Sequence, residues 1–313
     1  MKIILYAPVF YGYGDSIEKE LICQGHEVFR ISHNISRLID FFLTFFPAQY
    51  NIKIREAYLQ KQLQRISIEE CDVFFVVRGQ HLSLTHIAYL KERNNSLRLV
   101  MYQWDSIRNF DYTHFIPIFD KIFTFDFKDS DDLNISYLPL FYLNDIIPVE
   151  VGEDIDLLFV ASNTPQRTQY LGRLKELSNK YGLRICYYLV NSFSSYVKDF
   201  LTNNLYYSRS DIHFQAISRS QLIKLYQKSK VFVDITSPLQ TGLSMRIIEC
   251  YAMNKKLLSS NDYIGRDNNV KEILSVSADA TDSDILQLIK TPSSKYKNVG
   301  KLSLSNWLKT IIS

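Results

Sequence analysis

What this sequence has little of narrows its role before any motif is weighed. Cysteine is scarce: Cys23, Cys71, Cys186 and Cys250 stand far apart, with no CxxC pair. That spacing argues against a zinc site or a disulfide framework and for a reducing compartment, each thiol lying in or beside an apolar segment where it packs as a small hydrophobe. Long hydrophobic runs are missing too, since no segment reaches the ~18 apolar residues that span a bilayer. The opening "MKIILYAPVF" has one positive charge, a short apolar run and no small-residue cleavage pattern, so it is read as a first strand and not as a leader. Neither sign of charge is in large excess. The formal net charge is +3 and the lysines and arginines are scattered, which speaks against a nucleic-acid partner. No G-x-G-x-x-G follows the first strand, which counts against a nicotinamide dinucleotide. Repeats, low-complexity and disorder-prone tracts are also lacking.

What is there alternates. At 313 residues the chain suits two domains of ~150 residues each, with a cleft between them. "KIILYAP" leads through "VFYGYGDS" into a helical "IEKELICQG", with Asp15 and Glu18 placed like a capping box, and "HEVFRI" reads as the next strand. "CDVFFVVRG" reads as a fully buried strand, "LTHIAYLKERN" as a helix, and "LRLVMYQWDS", "DKIFTFD" and "ISYLPLFY" as further strands. The stretch "LIDFFLTFFPAQYNIKIREAYLQKQLQRI" joins an aromatic run to a mixed-charge helix; a buried core helix is preferred for the run over a membrane-contacting one. Pro148 and Gly152 mark a polar linker near residues 145–153.

The second half repeats the pattern. It runs through "IDLLFVAS", the helix "QRTQYLGRLKELSNKYG", "LRICYYLV", a polar region to about residue 210, "IHFQAIS", the helix "SRSQLIKLYQKS", "KVFVDIT", a helix from Ser244, and "KKLLSSN". This predicts an α/β protein of two Rossmann-like, doubly wound domains facing a cleft, residues 1–148 and 149–313. A last helix with Trp307, Leu308, Ile311 and Ile312 on one face is able to pack back on the first domain. In such sheets ligands gather beyond the carboxyl ends of the strands.

One strand end stands out, "TSPLQTGLSMRIIECYAMNKKLLSSND", Thr236 to Asp262. A helix beginning near Gly242 would aim its free N–H groups and its positive dipole end at an anion. Arg246, one turn in, adds a fork of donors suited to phosphate. Glu249, almost a turn further on the same side, can accept from two vicinal hydroxyls. Gly242 would let the backbone approach a pyrophosphate closely. Together these describe a nucleoside diphosphate site, although a plain helix start with a surface arginine and a solvated glutamate explains the same residues.

A resemblance separates the two accounts. "KSKVFVDITSPLQTGLSMRIIECYAMNKKLLSSN" is similar to the donor-binding segment of GT-B-fold glycosyltransferases, especially the bacterial lipopolysaccharide, capsule and spore-coat (CgeB-like) polysaccharide enzymes. "YQWDSIRNF", "FDKIFTFDFKDS" and "ISYLPLFY" resemble the middle of that group, and "DLLFVASNTPQRTQYLGRL" its second-domain start. The resemblance implies that Glu249 holds the donor ribose. It also implies that Gln240, Thr241, Gly242 and Ser244, before the helix, lie by the diphosphate, with Ser162 and Arg167 on its phosphate side. Retaining enzymes of this fold often carry two glutamates separated by seven residues. Here the first of these positions is Thr241, so retaining chemistry does not follow.

Glycosyl transfer needs a stabilised leaving diphosphate and a positioned, deprotonated acceptor hydroxyl. Arg246, Arg167 and the helix terminus answer the first need. For the second, three strand-end loops of the first domain offer polar groups: Tyr13, Gly14 and Asp15; Arg78, Gly79, Gln80 and His81; Trp104 and Asp105. Asp105 is favoured as the base, with Trp104 able to stack on a sugar ring and Asp15 as a second candidate, although an N-cap role competes for both acids. Arg78 suits a phosphate or acidic sugar, or an ordinary ion pair. "DSDD", Asp129 to Asp132, has the D-x-D spacing of the other glycosyltransferase fold but is read as a solvated loop or helix start. No metal and no cofactor is expected. The partners implied are a nucleotide-sugar donor and a saccharide or lipid-linked saccharide acceptor, which would draw a cytoplasmic enzyme to the inner face of the membrane. A nucleotide-sugar epimerase on the same fold and a non-catalytic nucleotide-sugar-binding subunit are the alternatives. The sequence leaves the oligomeric state open.

Overall fold

Alternating apolar strands and amphipathic helices build two parallel sheets. The computed structural model describes residues 1–8, 12–32, 34, 35, 43, 47–148 and 152–313. Most of the aromatic run before Pro47, and the centre of the expected linker at residues 149–151, lie outside the described residues. Strands β1 (Lys2–Tyr6), β2 (Glu27–Ile31), β3 (Val73–Val77), β4 (Arg98–Gln103), β5 (Lys121–Thr124) and β6 (Ser136–Tyr137) form one sheet, ordered β2-β1-β3-β4-β5-β6, with every pairing parallel. Strands β7 (Ile155–Ser162), β8 (Ile185–Val190), β9 (Ile212–His213), β10 (Ser229–Asp234), β11 (Lys256–Ser259) and β12 (Ser275–Ser277) form the other, ordered β12-β11-β10-β7-β8-β9, also parallel throughout.

Helices among the described residues are α1 (Tyr13–Cys23), α2 (Ala48–Leu63), α3 (Leu84–Arg93), α4 (Phe127–Leu133), α5 (Pro165–Tyr181), α6 (Phe193–Leu201), α7 (Arg219–Lys228), α8 (Met245–Ala252), α9 (Asp282–Lys290) and α10 (Leu304–Ile312). None is long and apolar enough to cross a membrane. The fold is therefore the doubly wound α/β type expected from the alternation. Strand order fixes where ligands can sit: it reverses between β1 and β3 in the first sheet and between β7 and β10 in the second, and crevices open at such switch points.

By its contacts the chain divides into two compact units. Unit 1 holds Met1–Pro139, Leu239–Gly242 and Leu304–Ser313; unit 2 holds Leu140–Pro238 and Leu243–Ser303. All five residues of β3 are buried, as a strand covered on both faces requires. Phe74, Val76, Ile4, Leu59, Leu90 and Leu99 centre the first core, and Leu157, Phe159, Leu174, Val231, Val233 and Leu258 the second. Helix α5 shows how local sequence sets its element: Thr164 caps it by accepting from Arg167 N, Pro165 occupies the first helical position, and Gly182 ends it at φ 67°.

Helix α10 belongs to unit 1, where Leu304, Trp307, Leu308, Ile311 and Ile312 are all buried. The Trp307 ring lies edge-on to Tyr102 at 4.6 Å and near Phe75 at 6.1 Å, and Arg98 donates to the carbonyl of Ile312.

Several local expectations are corrected. Asp15 does not cap α1: the cap is Gly12 at φ 75°, and Asp15 sits in the first turn, paired with Arg30. Asp129 to Asp132 lie in the helix α4, as the helix-start reading had it, but Asp129 is buried and not solvated, its carboxylate accepting from Ile107 N (2.7 Å) and Tyr112 Oη (2.8 Å). The region read as polar up to residue 210 contains α6, capped by Ser192, with Phe193, Phe200 and Leu201 exposed. Cys71 and Cys250 are buried as expected, whereas Cys23 is exposed and Cys186 half-buried.

Trp307→Ala is expected to cost unit 1 about 3–5 kcal/mol, the usual loss for a large buried aromatic. Chemical denaturation followed by tyrosine and tryptophan fluorescence measures this, and a loss below about 1 kcal/mol would show that α10 contributes little to the core.

Candidate functional site

In unit 2 the switch point between β7 and β10 collects charge. Asp234, the last residue of β10, is 1% exposed and accepts from Thr236 Oγ1 (2.6 Å), Ser244 Oγ (2.7 Å) and Arg246 Nη1 (3.2 Å). A carboxylate removed from water needs donors of this kind to offset its lost hydration. Ser244 is the N-cap of α8 and also accepts from Ile247 N, so Asp234 holds the helix entry through its cap. Arg167, in the first turn of α5, donates from Nε to Ile235 O (2.9 Å) and from Nη1 to Ser162 O (3.2 Å) and Oγ (2.5 Å). Burial lowers the Arg167 pKa, Arg246 lowers it further, and Asp234 opposes both. Two guanidiniums thus share the field of one carboxylate. Arg246 Nε is buried without a hydrogen-bond partner among the described residues. An unused charged donor amid surplus positive charge, in the first turn of a helix, can receive an anion such as phosphate.

The structure therefore brings Ser162, Arg167, Ser244 and Arg246 together. Asp234 and Thr236, which complete the group, were missed by sequence reasoning. The signal for Asp234 was present, since an acid that ends a fully apolar strand must find several donors.

Glu249 lies a turn further along α8 in different company. It is 2% exposed; Oε1 accepts from Arg219 Nη1 (2.6 Å) and Oε2 from Tyr226 Oη (2.7 Å). Arg219 turns its Nε and Nη2 to Asp145 at 3.0 and 2.8 Å. Glu249 is thus a buried, doubly hydrogen-bonded carboxylate in this structure and not a solvated one. No local signal marked Arg219, Tyr226 or Asp145, which meet Glu249 only through the fold.

The turn before α8 is also corrected. The helix starts at Met245, three residues after Gly242. Gly242 N donates to Asp126 Oδ2 (3.1 Å), and a side chain there would overlap the ring and carbonyl of Phe125. The glycine is needed for close packing on Phe125, and its amide is already used. Thr241 is 5% exposed and gives both its N (2.6 Å) and Oγ1 (2.7 Å) to Asp126. Gln240 lies in the same segment, half-buried.

In unit 1 the loops after β1, β3 and β4, neighbours in the sheet, bring the remaining candidates together. Arg78 Nε pairs with Asp105 Oδ2 at 2.6 Å, joining the loop after β3 to that after β4. Burial raises the Asp105 pKa and Arg78 opposes it. Asp105 is therefore an ion-pair partner of Arg78, with no N-cap role. The rings of Tyr13 and Trp104 meet edge to face at 6.2 Å. Gly14 is packed so closely on Arg30 and Pro8 that no side chain fits. Arg78, Gly79 and His81 are left-handed at φ 73°, 68° and 63°, a conformation costing non-glycine residues about 1–2 kcal/mol each. Tyr6 Oη donates to Gln80 O and helps hold this turn. Burial, then Arg55 and Arg78, press the His81 pKa down to about 4, so its imidazole is neutral at pH 7. Asp15 is held by Arg30 on the exposed side of α1. Among the described residues no three His, Cys, Asp or Glu side chains are placed to hold a metal ion.

Arg78→Met removes the influence that opposes burial at Asp105, so the Asp105 midpoint is expected to move further up. The folded protein then binds more protons than the unfolded chain over a wider range, and stability falls as pH rises through it. Carboxyl-carbon NMR titration reads the midpoint; a fall, or no change, would show that the pair exerts no electrostatic hold.

No protein-family profile matches the chain, and no curated protein matches it by sequence. Solved structures match its fold. A glycosyltransferase from Rickettsia africae aligns with a TM-score of 0.56 at 13% identity, covering 99% of this chain and 96% of that one. UDP-GlcNAc 2-epimerase from Neisseria meningitidis, bound to UDP-GlcNAc, aligns at 0.57 and 10% identity, covering 100% and 98%. The lipopolysaccharide outer core galactosyltransferase WaaB aligns at 0.52 and 11% identity, covering 99% and 97%. At these identities the likeness establishes the fold, the GT-B architecture shared by glycosyltransferases and UDP-GlcNAc 2-epimerases.

Proposed function

We propose that this chain is a metal-independent glycosyltransferase that moves a sugar from a nucleotide-sugar donor to a saccharide or lipid-linked saccharide, in the manner of the lipopolysaccharide, capsule and CgeB-like enzymes. The observation that carries the reading is the pairing of Arg167 and Arg246 around Asp234, with Arg246 Nε buried and unused. A diphosphate supplies the missing acceptor and the missing negative charge. Because both guanidiniums are held before the ligand arrives, they stabilise the diphosphate as it leaves with little reorganisation. Ser162 and Ser244 border the same anion, and Glu249 receives the ribose. Thr241 and Gly242 are spent on Asp126 and shape the turn ahead of α8, and Gln240 borders the diphosphate.

Unit 1 supplies the acceptor groups. Asp105 takes the proton from the acceptor hydroxyl; its burial brings its pKa nearer the working pH, as a general base requires. Trp104 and Tyr13 offer aromatic faces to a sugar ring, and Arg78, Gly79 and Gln80 line the same turn. Asp15, tied to Arg30, is set aside as a base. A lipid-linked acceptor would hold this enzyme at the cytoplasmic face of the membrane. The epimerases match the fold as well as the transferases do, so isomerisation of the donor sugar is the second reading.

A thermal-shift panel of UDP, GDP, CMP and dTDP with their sugars tests the proposal. One nucleotide at about 100 times its Kd is expected to stabilise wild type by about 2.7 kcal/mol, and most of that gain should vanish in Arg246→Gln. Equal responses from both proteins would remove Arg246 from the donor site. Incubation with donor alone then separates the chemistries: an isomerised sugar means an epimerase, and binding without turnover on any acceptor, unaffected by Asp105→Ala, means a non-catalytic subunit.

A further inference from the structure

Helix α6 leaves apolar side chains in water although it is firmly held. Ser192 caps it by accepting from Ser195 N, Tyr196 packs on the second core with its ring 5.3 Å from that of Phe214, and Asp199 accepts from Tyr207 Oη (3.0 Å). Beyond Leu201 the chain reverses through Asn203, left-handed at φ 53°, with Asn204 N donating to Asp199 O (2.8 Å). On this anchored knob Phe193, Phe200 and Leu201 are 63, 62 and 76% exposed, and Leu205 and Tyr206 on the return are exposed too. The cations of the segment, Lys198 and Arg209, also face water, and Arg209 lies over the Phe214 ring that Phe193 meets edge-on. Its acids are instead turned to inward partners, Asp199 to Tyr207 and Asp211 to Lys175 and Tyr187. Tyr206 Oη accepts from Nδ2 of Asn163 at 3.4 Å, and Asn163 follows Ser162, so the knob stands beside the anion site at the carboxyl end of β7.

We propose that this knob is a lipid-attachment surface: Phe193, Phe200, Leu201 and Leu205 enter the headgroup and upper acyl region of an anionic bilayer, with Lys198 and Arg209 at its phosphates. The surface needs no catalysis to act, so it goes beyond the transferase reading. Shape, size and charge all favour lipid over protein. Side chains this exposed protrude, so a protein partner, a second copy included, must offer a matching hollow, whereas acyl chains flow around them. Five apolar residues fall well short of the ~20–30 a side that a stable protein interface takes. Exposed lysine and arginine beside an apolar tip, with the nearby acids occupied elsewhere, complement a negative surface. Tyr206, an apolar ring with a polar end, suits the boundary between water and acyl chains. Attachment through the knob brings the anion site of unit 2 down to the lipid surface.

Sedimentation with vesicles of phosphatidylcholine, with and without phosphatidylglycerol, tests this. Wild type should bind the anionic vesicles, and Phe200→Ser combined with Leu201→Ser should lower its partition by about tenfold or more, since two apolar side chains no longer leave water. Lys198→Gln combined with Arg209→Gln should weaken binding to the anionic vesicles by about tenfold and leave the weaker binding to neutral ones unchanged. All four positions are exposed, so the variants should melt at the wild-type temperature. Leu201→Trp should move its emission to the blue on vesicles and be quenched by brominated acyl chains, which attachment through another face would not produce. No binding by wild type, or equal binding by wild type and the Phe200 and Leu201 double variant, would overturn the proposal. So would a wild-type dimer in analytical ultracentrifugation that the same double variant dissolves, since the knob would then be an interface between copies.

Discussion

One buried carboxylate organises what unit 2 offers a ligand. Asp234 has left water at the end of β10, and the donors that compensate it come from its own strand exit, from the cap of α8 and from the first turn of that helix. Arg246 could not be held so near Arg167 without it, since two guanidiniums in a poorly solvated place repel each other. The acid makes the cationic pair tolerable but does not cancel it. What is left over, a surplus of charge and a buried N–H, is the property that gives the arrangement a chemical use.

The other acids follow a related logic with different outcomes. Asp126 is wholly buried and spends its acceptors on the amides of its own helix α4 and on Thr241 and Gly242, so it is a structural pin. Glu249 is equally buried but shares its arginine with a partly exposed acid, so its environment has an alternative arrangement close by. Asp105 is only partly covered and has a single cation beside it. Burial alone does not separate the structural from the chemical carboxylate here. The number of donors, and whether a donor has somewhere else to go, does.

Much of the architecture could be read from the chain because its signals are local. Runs such as "VFFVV" and "LLFV" are too apolar to be anything but covered strands, and Thr164-Pro165 and Gly182 bracket α5 by backbone preference alone. Strand order is a long-range property, so the switch points were not legible. Helix α6 did carry a legible apolar stripe, Phe193, Tyr196, Val197 and Phe200, and Tyr196 packs on the second core, although no residue of the helix is fully buried and the serines around it read as a polar region. At the candidate site, Ser162 and Arg167 were named through the resemblance of their segment, and Ser244 and Arg246 through the helix start that follows β10. The fates of Gly242 and Glu249 were not, because Phe125, Asp126, Arg219 and Tyr226 reach them from distant stretches, and a glycine needed for packing looks the same in sequence as one needed for a ligand.

The membership of α10 in unit 1 bears on how the molecule comes off the ribosome. The β1 to β6 sheet is translated early, yet Trp307, Leu308 and Ile311, which cover Tyr102 and its neighbours, emerge after all of unit 2. Until then an apolar surface of the nascent chain stays bare while more than half of the polypeptide is still being made, which is the window in which aggregation competes with folding. The later unit, by contrast, has most of its own core at hand by the time β12 and α9 appear. The sheet translated before unit 2 is therefore sealed only after it.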